Sequence, residues 1–328
     1  MKAAWYERQG PASEVLVVGL TDDPKPKYGE GRIKVAASGI NPGDVKKRQD
    51  TFGVGMAFKR VIPHSDGAGI IDAVGEGVAA SRIGQRVWCF GAQSYRPFGT
   101  AAEYVTVPSE QAVPLSESVS YEQGACLGIP GITAHRAVHV AGSVKDRVVL
   151  VQGGAGAVGL CAVALARHAG AYVIATVRSQ KDIMVAEKAG AHDVVCTGGL
   201  SEEGIVKQVR SFAPDGVHHI IEVAFHANIA IDEQILKQGG SIATYATGNI
   251  SPSIPFWPLV FKNIRIFFLG SDDFPTEAIC EAAAGLNEAL ENGWKGFEAI
   301  KQFSLDDIAA AHEYVEDPSK KERAVLKI

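Results

Sequence analysis

The sequence predicts an α/β fold: a doubly wound parallel sheet joined to a second, β-rich domain. Three observations carry this. Strands and helices alternate at short spacing from about residue 122 onward, as right-handed crossovers in a parallel sheet require. Residues 147–151 form a Val/Leu run that stops at a glycine cluster, after which apolar residues recur at helical spacing over 160–169, so strand, tight turn and helix follow one another. Residues 1–125 hold many short apolar or alternating runs punctuated by glycine, the pattern of a strongly bent antiparallel sheet or partial barrel.

In the first region, residues 1–6, 16–18, 32–39, 69–74, 86–90 and 101–107 read as strands, and 42–50 as a helix with Pro42 early in its first turn. Helices are expected over 122–127 and 132–140, then the strand at 147–151, the helix at 160–169 and a second buried strand at 171–177. Next come a helix (180–189), a strand (193–196), a helix (202–211), a strand (217–223), a helix (229–236) and a strand (240–245); residues 264–269 complete the sheet. The C-terminal part offers an amphipathic helix (276–292), a short strand (300–303), a helix (306–317) opened by Ser304 with Asp307 three positions on, and a final strand (323–328). That last strand fits most economically in the first domain's sheet, making the domain discontinuous: residues 1–125 plus 273–328, with 126–272 between.

The glycine cluster is the chemical signal. Gly154-Ala155-Gly156-Ala157-Val158-Gly159 fits G-x-G-x-x-G, in which the first glycine permits the turn, the second admits a pyrophosphate and the third lets helix pack on strand. The phosphates would sit on free N–H groups at the helix N-terminus. Glycines alone would serve any tight turn; preceded by a strand and followed by a helix, they predict a Rossmann dinucleotide site. An NAD-preferring site would end the second strand in Asp or Glu; here Val177 is followed by Arg178, Ser179, Gln180 and Lys181. Arg178, Ser179 and Lys181 suit a 2′-phosphate, so NADP(H) is the expected cofactor.

Composition narrows the rest. The 328 residues carry 32 Lys+Arg against 37 Asp+Glu, a net charge of −5, which gives no reason to expect nucleic acid or an anionic membrane surface as partner. The first residues lack an apolar core and later apolar stretches are broken by charges such as Lys262 and Arg265, so a soluble, cytoplasmic protein is expected. The five cysteines are scattered with no Cys-x-x-Cys pair; buried free thiols are expected.

Several segments together carry a family resemblance: Ser38-Gly39-Ile40-Asn41-Pro42-Gly43-Asp44, Ile62-Pro63-His64-Ser65-Asp66-Gly67-Ala68-Gly69, Asp72-Ala73-Val74-Gly75, Gly128-Ile129-Pro130-Gly131-Ile132-Thr133-Ala134 and the glycine loop. In this order the chain resembles the zinc-free medium-chain dehydrogenases/reductases, in particular the NADPH:quinone oxidoreductases that include zeta-crystallin. The resemblance implies a GroES-like catalytic domain beside the Rossmann domain. Zinc-dependent members carry a Cys, a His-Glu pair and a further Cys or acidic ligand where this chain has Asn41, Ser65-Asp66 and a position near Ile129. An amide and an isoleucine cannot replace thiolates in a tetrahedral zinc site, so no metal is expected.

Without a Lewis acid the reaction must spread developing charge, as hydride transfer to a quinone or conjugated carbonyl does. The resemblance implies Asn41 near the nicotinamide, with Asp44, Arg48 and Phe52 lining the entrance. Asn41 offers amide hydrogens to a substrate carbonyl, or is simply an Asn-Pro turn residue. Relatives commonly place a tyrosine at the position of Phe52, whose phenyl ring cannot donate a proton. Thr133, Tyr245, Thr247 and Ser271 are expected near the cofactor, alongside Gly154, Ala155, Gly156, Ala157, Val158 and Gly159; each is compatible with an ordinary loop role. Reading the whole, the expectation is a metal-independent NADPH:quinone reductase. The alternatives are an alkene reductase acting on enones, enals or enoyl thioesters and a non-catalytic, crystallin-like NADPH-binding protein. The apolar edge at 264–269 suggests a homodimer.

Overall fold

The computed structural model describes residues 1–320 and 322–328. The chain forms two compact units, Met1–Ile129 with Lys295–Ile328, and Pro130–Trp294. No helix among the described residues is long and apolar enough to cross a membrane.

In the first unit, β1 (Lys2–Trp5), α1 (Ala12–Val15) and β2 (Val17–Leu20) make a small antiparallel pair closed by one helical turn. β3 (Glu30–Gly39) leads into α2 (Pro42–Gln49), and β4 (Asp66–Val74) returns along β3. Then follow β5 (Arg86–Cys89), β6 (Tyr104–Pro108), β7 (Ala112–Pro114) and α3 (Tyr121–Gly124). β3 buries Ile33, Val35 and Ala37 at alternate positions, as a pleated strand with a single core face must. Ile33 and Val35 join Ile71, Val87 and Val105 from the neighbouring strands in one apolar cluster.

The second unit begins along α4 (Gly128–His139) and contains β8 (Val148–Val151), α5 (Ala157–His168), β9 (Tyr172–Val177), α6 (Ile183–Ala189), β10 (Asp193–Cys196), α7 (Glu202–Phe212), β11 (Val217–Glu222), α8 (Phe225–Ile235), β12 (Leu236–Thr244), α9 (Phe256–Phe261), β13 (Arg265–Phe268) and α10 (Thr276–Glu291). Its six strands pair in parallel in the order β10-β9-β8-β11-β12-β13. Counted along the sheet, that is 3-2-1-4-5-6, with the reversal between β8 and β11, the point where open α/β sheets bind dinucleotides. Leu150, Ile174, Ile220 and Ile242, one from each inner strand, are fully buried together.

The chain closes with β14 (Ile300–Ser304), α11 (Ile308–Glu316) and β15 (Arg323–Lys327). β15 lies parallel to β14 and antiparallel to β3, so the final strand does join the first sheet. Ser304 Oγ accepts from the N–H of Asp307 at 3.2 Å, realising half of the expected cap.

Some expectations shift. The units change over at Ile129 and Lys295 rather than near 125 and 273, because α10 packs with the second unit, Leu286 lying against Gly131 and Gly285 against the ring of His135. α1, β7 and α9 were not expected: the first two are of four and three residues, and α9 carries Pro258 in its first turn, where no N–H is needed. Cys89, Cys126 and Cys161 are buried, but Cys196 is only partly so and Cys280, on α10, is exposed.

Candidate active site

In the second unit, β8 delivers the chain to the glycine loop. Gly153 has φ 71° and makes the turn, a role the sequence assigns to Gly154; only a residue without a side chain adopts that conformation without strain. Gly154 instead lies against β9, where a Cβ would come within 2.7 Å of the Cβ of Ala175. At Gly159 a Cβ would sit 2.1 Å from the carbonyl oxygen of Gly153, so helix and loop touch backbone to backbone, as the motif requires. Gly156, the N-cap of α5, meets only the Gly153 oxygen at 3.3 Å and leaves its face open. Ala157, Val158 and Gly159 form the first turn of α5, whose N–H groups have no intrahelical acceptor. The loop is also tied to β9: the N–H of Gly154 donates to the Thr176 carbonyl at 2.8 Å and that of Gly153 to Thr176 Oγ1 at 3.1 Å.

Arg178, Ser179 and Lys181 directly follow β9, the strand beside β8. Arg178 and Lys181 are exposed, while Ser179 Oγ is buried without a hydrogen-bond partner. Two cations and an orphaned hydroxyl at a strand end fit a phosphate monoester. Thr133 is buried on α4. Tyr245 follows β12, its hydroxyl pushed far up by burial and by Glu222; Thr247 Oγ1 donates to the Asn249 carbonyl at 3.0 Å. Ser271 opens the turn after β13.

In the first unit, Asn41 is the N-cap of α2, and three partners hold it. Its Nδ2 donates to Asp66 Oδ2 at 2.6 Å, its Oδ1 accepts from Arg323 Nη2 at 2.9 Å, and its backbone N–H donates to Asp44 Oδ2 at 2.7 Å. Asp66 also accepts from the backbone N–H of Ile129 at 2.9 Å. The positions matching the superfamily's metal ligands are thus brought together as an amide, a carboxylate and a backbone N–H, with the Arg323 guanidinium supplying the local positive charge. Those donors do not form a zinc site, and among the described residues no group of three or more His, Cys, Asp or Glu is placed to hold a metal. Burial raises the Asp66 carboxyl to about 7, against the opposing hydrogen bond from Asn41.

The other expected entrance residues part company. Asp44 is buried as the helix cap just described. Arg48 is 0% exposed: its Nε donates to His312 Nδ1 at 3.3 Å and its two terminal nitrogens to the Gly10 carbonyl and Glu316. It therefore ties α2 to α11 and points into the packing of this unit, where three of its donors find acceptors on His312, Gly10 and Glu316. Phe52 is 58% exposed in a loop whose N–H groups at Val54 and Gly55 both donate to Asp50 Oδ1 at 2.9 Å.

Sequence reading missed two groups here. Arg323, at the head of β15, orients Asn41; a cation opening a strand expected in the first sheet was the available signal. His64, fully buried with φ 77°, joins Ser38 Oγ through Nδ1 at 2.8 Å and His312 through Nε2 at 2.9 Å. Because Arg48 donates to His312 Nδ1, His312 Nε2 must carry its proton toward His64, and His64 Nδ1 its own toward Ser38. Burial depresses His64 to about 3 and His312 well below its ordinary value, so both rings are neutral.

The zinc-binding dehydrogenase family model matches residues 157–283 and the alcohol dehydrogenase GroES-like model residues 27–117. Quinone oxidoreductase of Rattus norvegicus is 33% identical over 294 residues, 88% of this chain and 86% of that protein. The chain belongs to the medium-chain dehydrogenase/reductase family. Within this family it falls with the zeta-crystallin-like quinone oxidoreductases: that of Homo sapiens is 30% identical over 300 residues, 89% of this chain and 87% of the relative. A mycobacterial protein solved in complex with NADPH is 25% identical with a TM-score of 0.86, covering 100% of both chains. Membership makes the chain an oxidoreductase of this family, with the Rossmann and GroES-like folds described above.

Proposed function

We propose that the protein is an NADPH-dependent reductase that delivers hydride to quinones or related conjugated carbonyls in the cytoplasm, without a metal. The observation that carries this reading is the pairing of a glycine loop at the sheet's switch point with a cationic, carboxylate-free end of β9. The quinone oxidoreductase relatives and the NADPH-bound neighbour support it.

When bound, the nicotinamide supplies the hydride; the chain's part is binding and orientation. The loop from Gly154 to Gly159 and the first turn of α5 take the pyrophosphate, and Arg178, Ser179 and Lys181 the 2′-phosphate. Thr133, Tyr245, Thr247 and Ser271 serve the remainder of the cofactor. Asn41 has one amide hydrogen left after Asp66 takes the other, and we assign it to the substrate oxygen, where a fixed donor stabilises charge as it develops. Arg48 and Asp44 act behind it, holding α2. With Phe52 unable to give a proton, acceptors that need none at carbon are favoured. A second copy of this chain is the proposed partner along β13, whose outer edge is unpaired among the described residues and whose Phe268 is 73% exposed.

The test is turnover of NADPH with a panel of quinones and of enones and enals, with product analysis. Quinone reduction is expected. Saturation of the carbon–carbon double bond in preference to quinone reduction would reassign the protein as an alkene reductase, and tight NADPH binding without turnover of any acceptor would make it a binding protein.

A further inference from the structure

Beneath the glycine loop of the second unit lies a buried polar group that the proposed reaction does not use. Glu222 ends β11 and Asp232 lies in α8; both are 0% exposed. Glu222 accepts from the backbone N–H groups of Val223 and Ala224 and from Asn228 Nδ2 at 3.0 and 3.1 Å. Asp232 Oδ1 accepts from Gln152 Nε2 at 2.8 Å. Asp232 Oδ2 is buried and receives no donor, and the neighbouring carboxyl that acts on it is that of Glu222. Two carboxylates share a hydrogen bond only if one holds a proton.

We propose that Asp232 stands as a neutral carboxylic acid donating to the Glu222 carboxylate, and that it is a positioning residue for the phosphate-binding loop. The location of the proton follows from the partners. Glu222 has several N–H donors that favour its charged form, whereas Asp232 has one neutral amide. The groups facing the pair are Gln152 at the end of β8, Asn228 on α8 and Tyr245 after β12, with Cys161 of α5 acting on Tyr245; none of them is a cation. Burial raises both carboxyls, in line with a single charge shared by the pair.

The consequence runs outward in one direction. With Gln152 Nε2 turned to Asp232, Gln152 Oε1 accepts from Thr176 Oγ1 at 2.7 Å, which leaves Thr176 Oγ1 to accept from Gly153 N–H at 3.1 Å. Gly153, Thr176, Gln152, Asp232 and Glu222 thus form an unbroken donor-to-acceptor chain. It fixes the turn residue of the loop and is complete only with the proton on Asp232.

This rests on the reading that the loop binds NADPH. Asp232→Asn preserves the chain, since its amide donates to Glu222 and its oxygen accepts from Gln152; Asp232→Leu, of similar size, orphans the Gln152 amide. NADPH is titrated by fluorescence into the full-length wild type and both variants, and infrared spectra of the cofactor-free proteins are compared for the C=O stretch of a protonated carboxyl. Asp232→Asn is expected to rescue affinity to within about threefold of wild type and Asp232→Leu to lose about tenfold or more, the scale of one orphaned buried polar group. The protonated-carboxyl absorption of wild type should lose the Asp232 component in Asp232→Asn, what remains being the buried Asp66 carboxyl. Equal losses in the two variants, or an unchanged band, would overturn the proposal; if Asp232→Leu does not fold, the band and Asp232→Asn decide alone. Wild type that binds no NADPH would sink the cofactor reading instead, while the infrared comparison still judges the proton on Asp232.

Discussion

Alanine at Gly159 and at Gly156 separates loop packing from cofactor contact. A Cβ on Gly159 would lie 2.1 Å from the Gly153 carbonyl oxygen and 2.9 Å from its carbon, against the 3.4 Å at which ordinary contact begins. Both are backbone atoms, so the loop itself must retreat by more than an ångström. Overpacking of this kind costs about 1–3 kcal/mol, or about 2–4 °C in Tm per kcal/mol for a unit of this size. The same retreat pulls the loop's N–H groups off the phosphates, and losing one charge-assisted hydrogen bond of about 1.5–3 kcal/mol weakens NADPH binding roughly ten- to hundredfold. Gly156 has φ −79° and ψ 168°, which alanine adopts freely, and its only close neighbour is at 3.3 Å. Gly156→Ala should therefore keep its Tm within about 1–2 °C yet lose NADPH affinity at least about tenfold, because the methyl occupies the face reserved for pyrophosphate. Thermal melting and NADPH titration of the two variants read the two effects separately. Wild-type affinity in Gly156→Ala, or wild-type melting and affinity in Gly159→Ala, would refute the assignment of the loop.

Arg178→Ala combined with Lys181→Ala should raise the KM for NADPH about ten- to hundredfold while leaving that for NADH nearly unchanged, as expected when charged partners of a 2′-phosphate are removed; steady-state kinetics with both cofactors checks this. Asp66 titrates near 7 in the folded chain and near 4 unfolded, so its buried proton stabilises the fold below about pH 4 and that contribution is lost as pH rises through 7. Relative to Asp66→Asn, wild type should lose about 1.4 kcal/mol per pH unit across that window; parallel urea-unfolding stabilities at pH 5, 6 and 7 would contradict it. Phe52→Tyr, at an exposed position, should leave quinone reduction unchanged and raise any alkene reduction, measured by product analysis. Phe268→Lys should shift the protein toward monomer in light scattering if β13 pairs with a second copy.

Much of this was legible before any coordinates. Strand periods, the glycine triplet and the parallel sheet with its right-handed crossovers follow from local pattern, and the final strand's membership in the first sheet from economy of connection; the order of the parallel strands does not. The residue types at Asn41, Ser65-Asp66 and Ile129 already spoke against zinc ligation. What stayed hidden was long-range. The clamp on Asn41 depends on Arg323, 282 positions away, and the burial of Arg48 depends on His312 and Glu316, which only the return of the C-terminal segment brings to α2. Gly153 rather than Gly154 makes the turn, while Gly154 packs against Ala175 of β9, a contact that no single-segment pattern encodes.

The central claim is hydride delivery from a 2′-phosphorylated nicotinamide by a site that needs no metal. Its most direct test is quinone reduction by protein dialysed against chelator, with NADPH, NADPH deuterated at C4 and NADH compared as donors. Full activity after dialysis, a primary isotope effect on NADPH oxidation, and kcat/KM for NADPH at least about tenfold above that for NADH are expected. Activity lost on chelation and restored by zinc, or a preference for NADH, would contradict it.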